Sequence, residues 1–380
     1  MSDKFRRIFV DPFVNKGRKF LLFALITVAV LVVILPIACW HPLNFDAIVR
    51  GLRYGEKPMS LNLDANASAQ YCVLGKSLLT VSSGGASLRK LSDGKEVSAS
   101  SFSENPTVRR AGNFAVSFDS GGLNLCYIRE NRNSIEPMVL PGELYDADVS
   151  PSGFFCTATS ENGYKTVLRL YDTEKEEVFR WFSASRFLPL CAVSANGCEL
   201  AAISYSSEQG EFFAELLFFR ADRNEIHKVV RLPDSLVLGL RYVNDRTLCV
   251  LTQDEVMMFQ TNGDLRGTYD YSGELMDFSL TSDEFVLLSL PSYETSGGAK
   301  LTAVDMGGKE IGSYITSSPC HSVSSSGYYA AALTDDQIVI LTKKMRLYGA
   351  MPAKNISQAD ICSDGSAIVI NEHKAERLLP

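Results

Sequence analysis

Residues 148–183 read DVSPSG, FFCTATS, ENG, YKTVLRLYD, a polar turn ending in EKEE, and VFRWFS. Apolar and β-branched runs alternate with short turns that carry Gly, Asn or Asp. These residues accept the positive backbone angles that tight hairpins demand, and a tight hairpin joins neighbouring antiparallel strands. The stretch therefore predicts one four-stranded meander.

The unit recurs along the chain. Equivalent turns fall at Gly75, Gly112, Gly153, Gly197, Asp245, Asp283, Gly327 and Gly365, eight positions spanning 290 residues in seven steps, a mean near 41. Their surroundings agree in kind, as in VSANGCELAAI, YVNDRTLCVL, LTSDEFVLLS, VSSSGYYAAAL and ICSDGSAIVI. A second hairpin recurs as LYDTEKEEV, FRADRNEIH, FQTNGDLRG, VDMGGKEIG and LSDGKEV. A period of about 40 with four strands per unit marks a β-propeller blade. One small twisted sheet cannot cover both its faces, whereas sheets stacked around an axis cover one another. The middle strands should then be apolar on both sides rather than alternating. Ala214-Glu215-Leu216-Leu217-Phe218-Phe219, Phe285-Val286-Leu287-Leu288 and Ile338-Val339-Ile340-Leu341 fit that requirement. A helical solenoid would need a 3.6-residue period, which this region lacks. The expected fold class is all-β, a β-propeller of eight blades, or of seven if one of the two less regular early units is not a blade. After Gly365 only SAIVINEHKAERLLP remains, enough for two strands. Pro58-Met59-Ser60-Leu61-Asn62-Leu63 is a candidate for the missing strand, so the eighth blade is expected to draw on both ends of the domain.

Upstream lies FLLFALITVAVLVVILPIACW, residues 20–40, 21 residues without a charge. A helix needs about 20 residues to cross the hydrocarbon layer. Arg18 and Lys19 flank one end and Trp40 the other; basic residues stay on the cytoplasmic side and Trp favours the interface. The expected organisation is a cytoplasmic arm over 1–19, a single transmembrane helix over 20–40, a connector over 41–57 and an extracytoplasmic propeller over 58–380. A cleaved signal peptide would carry a shorter apolar run. A lipoprotein signal would place a Leu-Ala-Gly-like tripeptide before Cys39, where Pro36-Ile37-Ala38 stands.

The net charge is −7. The arm holds Lys4, Arg6, Arg7, Lys16, Arg18 and Lys19 against Asp3 and Asp11, a local +4, which leaves −11 on the rest. An acidic body argues against a nucleic-acid partner, whose phosphates demand a basic face. The partners expected are the bilayer itself and a protein or other component of the cell envelope.

The search for chemistry returns little. No C-x-x-C, H-E-x-x-H, G-x-S-x-G or Walker loop occurs. His41, His227, His321 and His373 lack ligand spacing. Ser92-Asp93-Gly94 and Ser363-Asp364-Gly365 are too compressed for sialidase boxes and lack their Trp. A pyrroloquinoline-quinone site would want stacking tryptophans, and Trp181 alone lies beyond the span. No catalytic residue, cofactor or metal ligand is therefore expected. The cysteines beyond the span sit in apolar strands as small hydrophobes. Two pairs are nonetheless disulfide candidates in an extracytoplasmic setting. Cys191 and Cys198 flank one turn; Cys72 and Cys362 each precede the turn glycine by three residues, in the first and last blades. Arg109, Arg110 and the loop Arg129-Glu130-Asn131-Arg132 are read as surface charge, with an anionic wall polymer or acidic partner as the alternative. Glu174, Glu176, Glu177, Asp335 and Asp336 are read as solvated turns.

The hairpin Val304-Asp305-Met306-Gly307-Gly308-Lys309, with its strand–turn–strand context, resembles quinoprotein-like and WD40-like propeller repeats. One anchor followed by one such propeller resembles an uncharacterised membrane-anchored propeller family of Gram-positive bacteria. The resemblance implies location and fold, not an activity. The expected function is a non-enzymatic, membrane-tethered extracytoplasmic binding or scaffolding module. The alternatives are a propeller enzyme acting on an envelope glycan or peptide, and a sensor relaying an outside signal to another membrane protein.

Overall fold

Each repeat folds as a four-stranded antiparallel meander, and the described residues form eight such sheets. The computed structural model describes residues 24, 25, 27, 28, 59–63, 69–101, 106–271, 274–295, 297–371 and 374–380. Blades 1 to 7 are built in chain order from residues 70–100, 106–139, 144–183, 190–231, 237–270, 277–315 and 320–352. The reference stretch is blade 3, with strands Leu144–Val149, Phe155–Glu161, Tyr164–Tyr171 and Glu177–Ser183. All eight turns singled out in the sequence join the innermost strand of a blade to its second strand. At Gly153 the reason for glycine is plain: φ is +93°, and a Cβ would lie 2.7 Å from the Phe114 ring and 2.9 Å from the Tyr127 hydroxyl.

Blade 8 closes the ring as expected. Ile356–Ile361, Ala367–Asn371 and Lys374–Leu378 supply three strands, and Ser60–Asn62 supplies the fourth. The register pairs Ser60 with Glu376, Leu61 with Ala375 and Asn62 with Lys374. The strand from the far end of the domain is thus the outermost of the last blade, and eight blades rather than seven are present.

The core lies between blades. Eight clusters of buried residues occupy the eight junctions between neighbouring sheets. Thr247–Thr252, the second strand of blade 5, shows how one strand serves two of them. Leu248 and Val250 face blade 4, while Cys249 and Leu251 face blade 6. The period-2 alternation of a strand therefore separates two apolar interfaces, not core from solvent. Glu215 interrupts one such run and is satisfied by Arg186 and Ser206.

The chain divides between residues 55 and 56. Of the first part, residues 24, 25, 27 and 28 are described, and they are helical. The remainder of the span expected over 20–40, with its flanks Arg18, Lys19 and Trp40, lies outside the described residues. Among the described residues no helix is long and apolar enough to cross a membrane.

Candidate functional site

The innermost strand of each blade is a sheet edge, so half of its backbone N–H groups have no ladder partner. Those edges ring the central channel. At four junctions a side chain on one inner strand reaches forward to accept an N–H from the inner strand of the next blade. Asp146 Oδ2 accepts from Cys191 at 3.0 Å and Asp148 Oδ2 from Val193 at 3.2 Å. Asp277 Oδ2 accepts from Val323 at 2.7 Å, and the Ser279 hydroxyl from Ser325 at 3.1 Å. The Ser324 hydroxyl accepts from Ile361 at 3.1 Å. At the junction of last and first blades, Gln358 Oε1 accepts from Tyr71 at 3.1 Å and Asp360 Oδ2 from Val73 at 2.7 Å. The acceptors stand two residues apart because alternate residues of a strand point the same way.

Within this ring lies a cavity of about 400 Å³ whose lining includes Arg109, Arg110, Arg241, Asp148 and Asp360. Arg110 is fully engaged. It grips both oxygens of Asp360, with Nη2 to Oδ1 at 2.6 Å, and donates Nη1 to the Val73 carbonyl at 2.6 Å. Ser324 Oγ also donates to Asp360 Oδ1, at 2.6 Å. Blades 1, 2, 7 and 8 thus meet at one carboxylate. Arg109 stands 3.7 Å from Asp146 Oδ1. Arg241 crosses from blade 5 to donate Nη2 to the Arg110 carbonyl at 2.8 Å.

Burial dominates the ionisation of this wall. It pushes the Asp146 carboxyl up to about 6, against the opposing pull of Arg109 and the Cys191 N–H. It raises Asp148 too, although Arg241 and Arg109 favour the anion. Burial lowers Arg241, Asp148 resists, and the like charges of Arg109 and Arg110 add to the lowering. These shifts follow from removing charge from water inside a narrow protein-lined space.

The expectation for Arg109 and Arg110 as surface charge is corrected: both lie on the inner strand of blade 2, Pro106–Ala111, and line the channel. Arg129 likewise is buried, bonded to Glu136 and the Thr173 carbonyl, while Arg132 pairs with Glu174 on the surface. Glu177 of the same acidic run pairs with Arg180 and Arg169. His321 is exposed and pairs with Asp335. Among the described residues no cluster of ligating side chains suits a metal ion.

The eight described cysteines are free thiols. Cys191 pairs with Ala202 across the ladder, Cys198 is exposed, and the nearest sulfur recorded for Cys191 is that of Cys156, at 3.6 Å. Cys72 packs into the junction of blades 1 and 2, whereas Cys362 packs into the junction of blades 8 and 1. The two thus serve opposite faces of blade 1. The sequence reading missed the carboxylates of the channel. Their signal was present as Asp146-x-Asp148, Asp277-x-Ser279 and Gln358-x-Asp360, polar residues at spacing two in the strand before the recurring turn.

The meander also decides which loops share an end of the disc. The blade-to-blade connections lie with the turns between second and third strands. That end exposes Tyr164, Phe182, Phe187, Phe212, Met276 and Tyr293.

The architecture is shared widely. BamB from Moraxella catarrhalis superposes with a TM-score of 0.52 at 12% identity, over 84% of this chain and 98% of that one. Apo AztD from Citrobacter koseri gives 0.51 at 12% identity, over 79% and 93%. A eukaryotic initiation factor gives 0.54 at 13% identity, over 81% of each chain. At such identities the likeness is one of fold alone. No curated protein sequence matches the chain. Over residues 54–377 the chain matches the model of DUF5711, a family of unknown function, and it belongs to that family.

Proposed function

We propose that this protein is a non-enzymatic binding or scaffolding module of a Gram-positive cell envelope, with residues 20–40 as its membrane tether and the propeller outside. One observation carries the non-enzymatic part. All four carboxylates on the inner strands, Asp146, Asp148, Asp277 and Asp360, accept a backbone N–H from the next blade. A general acid or a nucleophile needs a carboxyl group free to meet substrate; here the acids are parts of the frame. The aromatic-rich end of the disc suits binding, since loops held on a rigid scaffold carry recognition groups and aromatic residues anchor interfaces. A tether raises the local concentration of such a module beside other envelope components.

The test has two arms. Protease added to intact cells should degrade the propeller; protection until lysis would overturn the orientation. Cross-linking of the full-length protein in cells should recover a partner absent from a control carrying only residues 1–57. Recovery of no such partner would overturn the scaffolding role.

A further inference from the structure

The three channel arginines are not equivalent. Arg110 has a bidentate carboxylate, Asp360, and a carbonyl. Arg109 has Asp146 at 3.7 Å, beyond hydrogen-bonding distance. Arg241 makes no ion pair with a carboxylate among the described residues, and its recorded bond goes to a backbone carbonyl. It is nonetheless held within reach of two like charges, Arg109 and Arg110, whose repulsion adds to the cost of its burial. Its opposing charge is Asp148, which acts on it without forming an ion pair and is shared with Arg109. A buried cation left without a direct carboxylate partner is costly, and chains that retain one commonly use it. Both Arg109 and Arg241 line the cavity of about 400 Å³, large enough for a small ligand or the end of a side chain. The guanidinium fork matches the paired oxygens of a carboxylate or phosphoryl group.

We infer that the channel is a receptor for an oxyanion, a carboxylate or phosphoryl group held between Arg241 and Arg109. The inference rests on the binding reading above and gives it a ligand class. Arg110 is excluded as the receptor because Asp360 saturates it. The charged groups facing the site are Asp146, Asp148, Arg110 and its partner Asp360, with the Cys72 thiol also in the lining and the Cys191 thiol beside Asp146. Asp146 and Asp148 compete with a bound anion only while ionised, so binding should strengthen as pH falls.

The experiment uses the full-length protein in detergent micelles. Inorganic phosphate and succinate are titrated separately, against chloride at matched ionic strength, and binding is followed by heat release and by thermal denaturation. Saturable binding of phosphate or succinate, absent with chloride, is expected, and the stronger of the two identifies the group. Arg241→Gln and Arg109→Gln should each weaken it tenfold or more (the fold-change of one charge-assisted hydrogen bond), and Arg241→Lys should fall between. Arg109 is about a third exposed, at 32%, so Arg109→Gln remains decisive if Arg241→Gln does not fold. No saturable binding to wild type, equal binding of chloride, or wild-type affinity in the Gln variants would overturn the inference. Failure here with a partner still cross-linked in cells would leave the scaffolding role standing; anion binding without a partner would do the reverse.

Discussion

Asp146 shows how a residue can be written into the frame at a cost in ionisation. Its Oδ2 holds the Cys191 N–H, which would otherwise be a bare edge group. The same burial raises its pKa from 3.8 to about 6. A carboxyl group with a raised folded-state pKa binds its proton more tightly in the folded chain than in the unfolded one. Its contribution to stability is therefore full below the unfolded value and is lost as pH rises towards the folded value. Asn at this position keeps the acceptor oxygen and removes the titration. The melting temperature of Asp146→Asn minus that of wild type should thus increase between about pH 4 and pH 6 and level off above. Calorimetric melting across that range reads the difference; a flat difference would show that Asp146 ionises normally. Arg109 and Arg110 teach the converse. As letters they resemble any surface pair, because nothing local tells a strand lining a channel from one facing open water.

At the scale of the element, ring closure rests on a strand of three residues, Ser60–Asn62. Its strength comes from side chains more than from its few ladder bonds. Leu61 and Leu63 are 6% and 8% exposed and pack with Leu78, Ile368 and Ile370 between blades 8 and 1. Leu61→Ala should cost about 2–4 kcal/mol, the range for a leucine truncated in a packed core. Denaturant unfolding of the full chain reads it, and Ser60→Ala, at an exposed position of the same strand, is the control, expected within about 0.5 kcal/mol of wild type. An unchanged midpoint for Leu61→Ala would mean that closure does not depend on this contact. The strand itself was legible in the sequence, since the last repeat lacked one strand and residues 58–63 had the right character. Its partner residue Ala375 was not, because register depends on how two distant edges meet.

For the whole molecule, each sheet is covered by the sheets on either side, so no blade has a core of its own. Stability is then a property of neighbour pairs, as in other stacked repeats, with the difference that a ring leaves no capping unit. A chain ending at Pro352 removes the three strands that the C-terminal end gives to blade 8 and exposes the apolar faces of blades 1 and 7. It should lose cooperative unfolding and bind a hydrophobic dye, as followed by near-ultraviolet circular dichroism and fluorescence. A truncated chain that still unfolds in one sharp transition would contradict this picture of the core.

The repeat, the strand order within it and the doubly apolar middle strands were determined by the sequence alone, because turn chemistry and hydrophobic pattern act over a few residues and recur at a fixed period. Eight blades over seven was decided by the structure, which shows both irregular early units to be full sheets. The channel was decided only by tertiary structure. Asp360 and Arg110 are 250 residues apart and meet because the ring closes. Asp146, Asp148 and Asp277 become structural acceptors because the next blade presents an unpaired edge at their height. Charge convergence across an axis depends on curvature and stagger between sheets, and those are set by how eight interfaces pack at once.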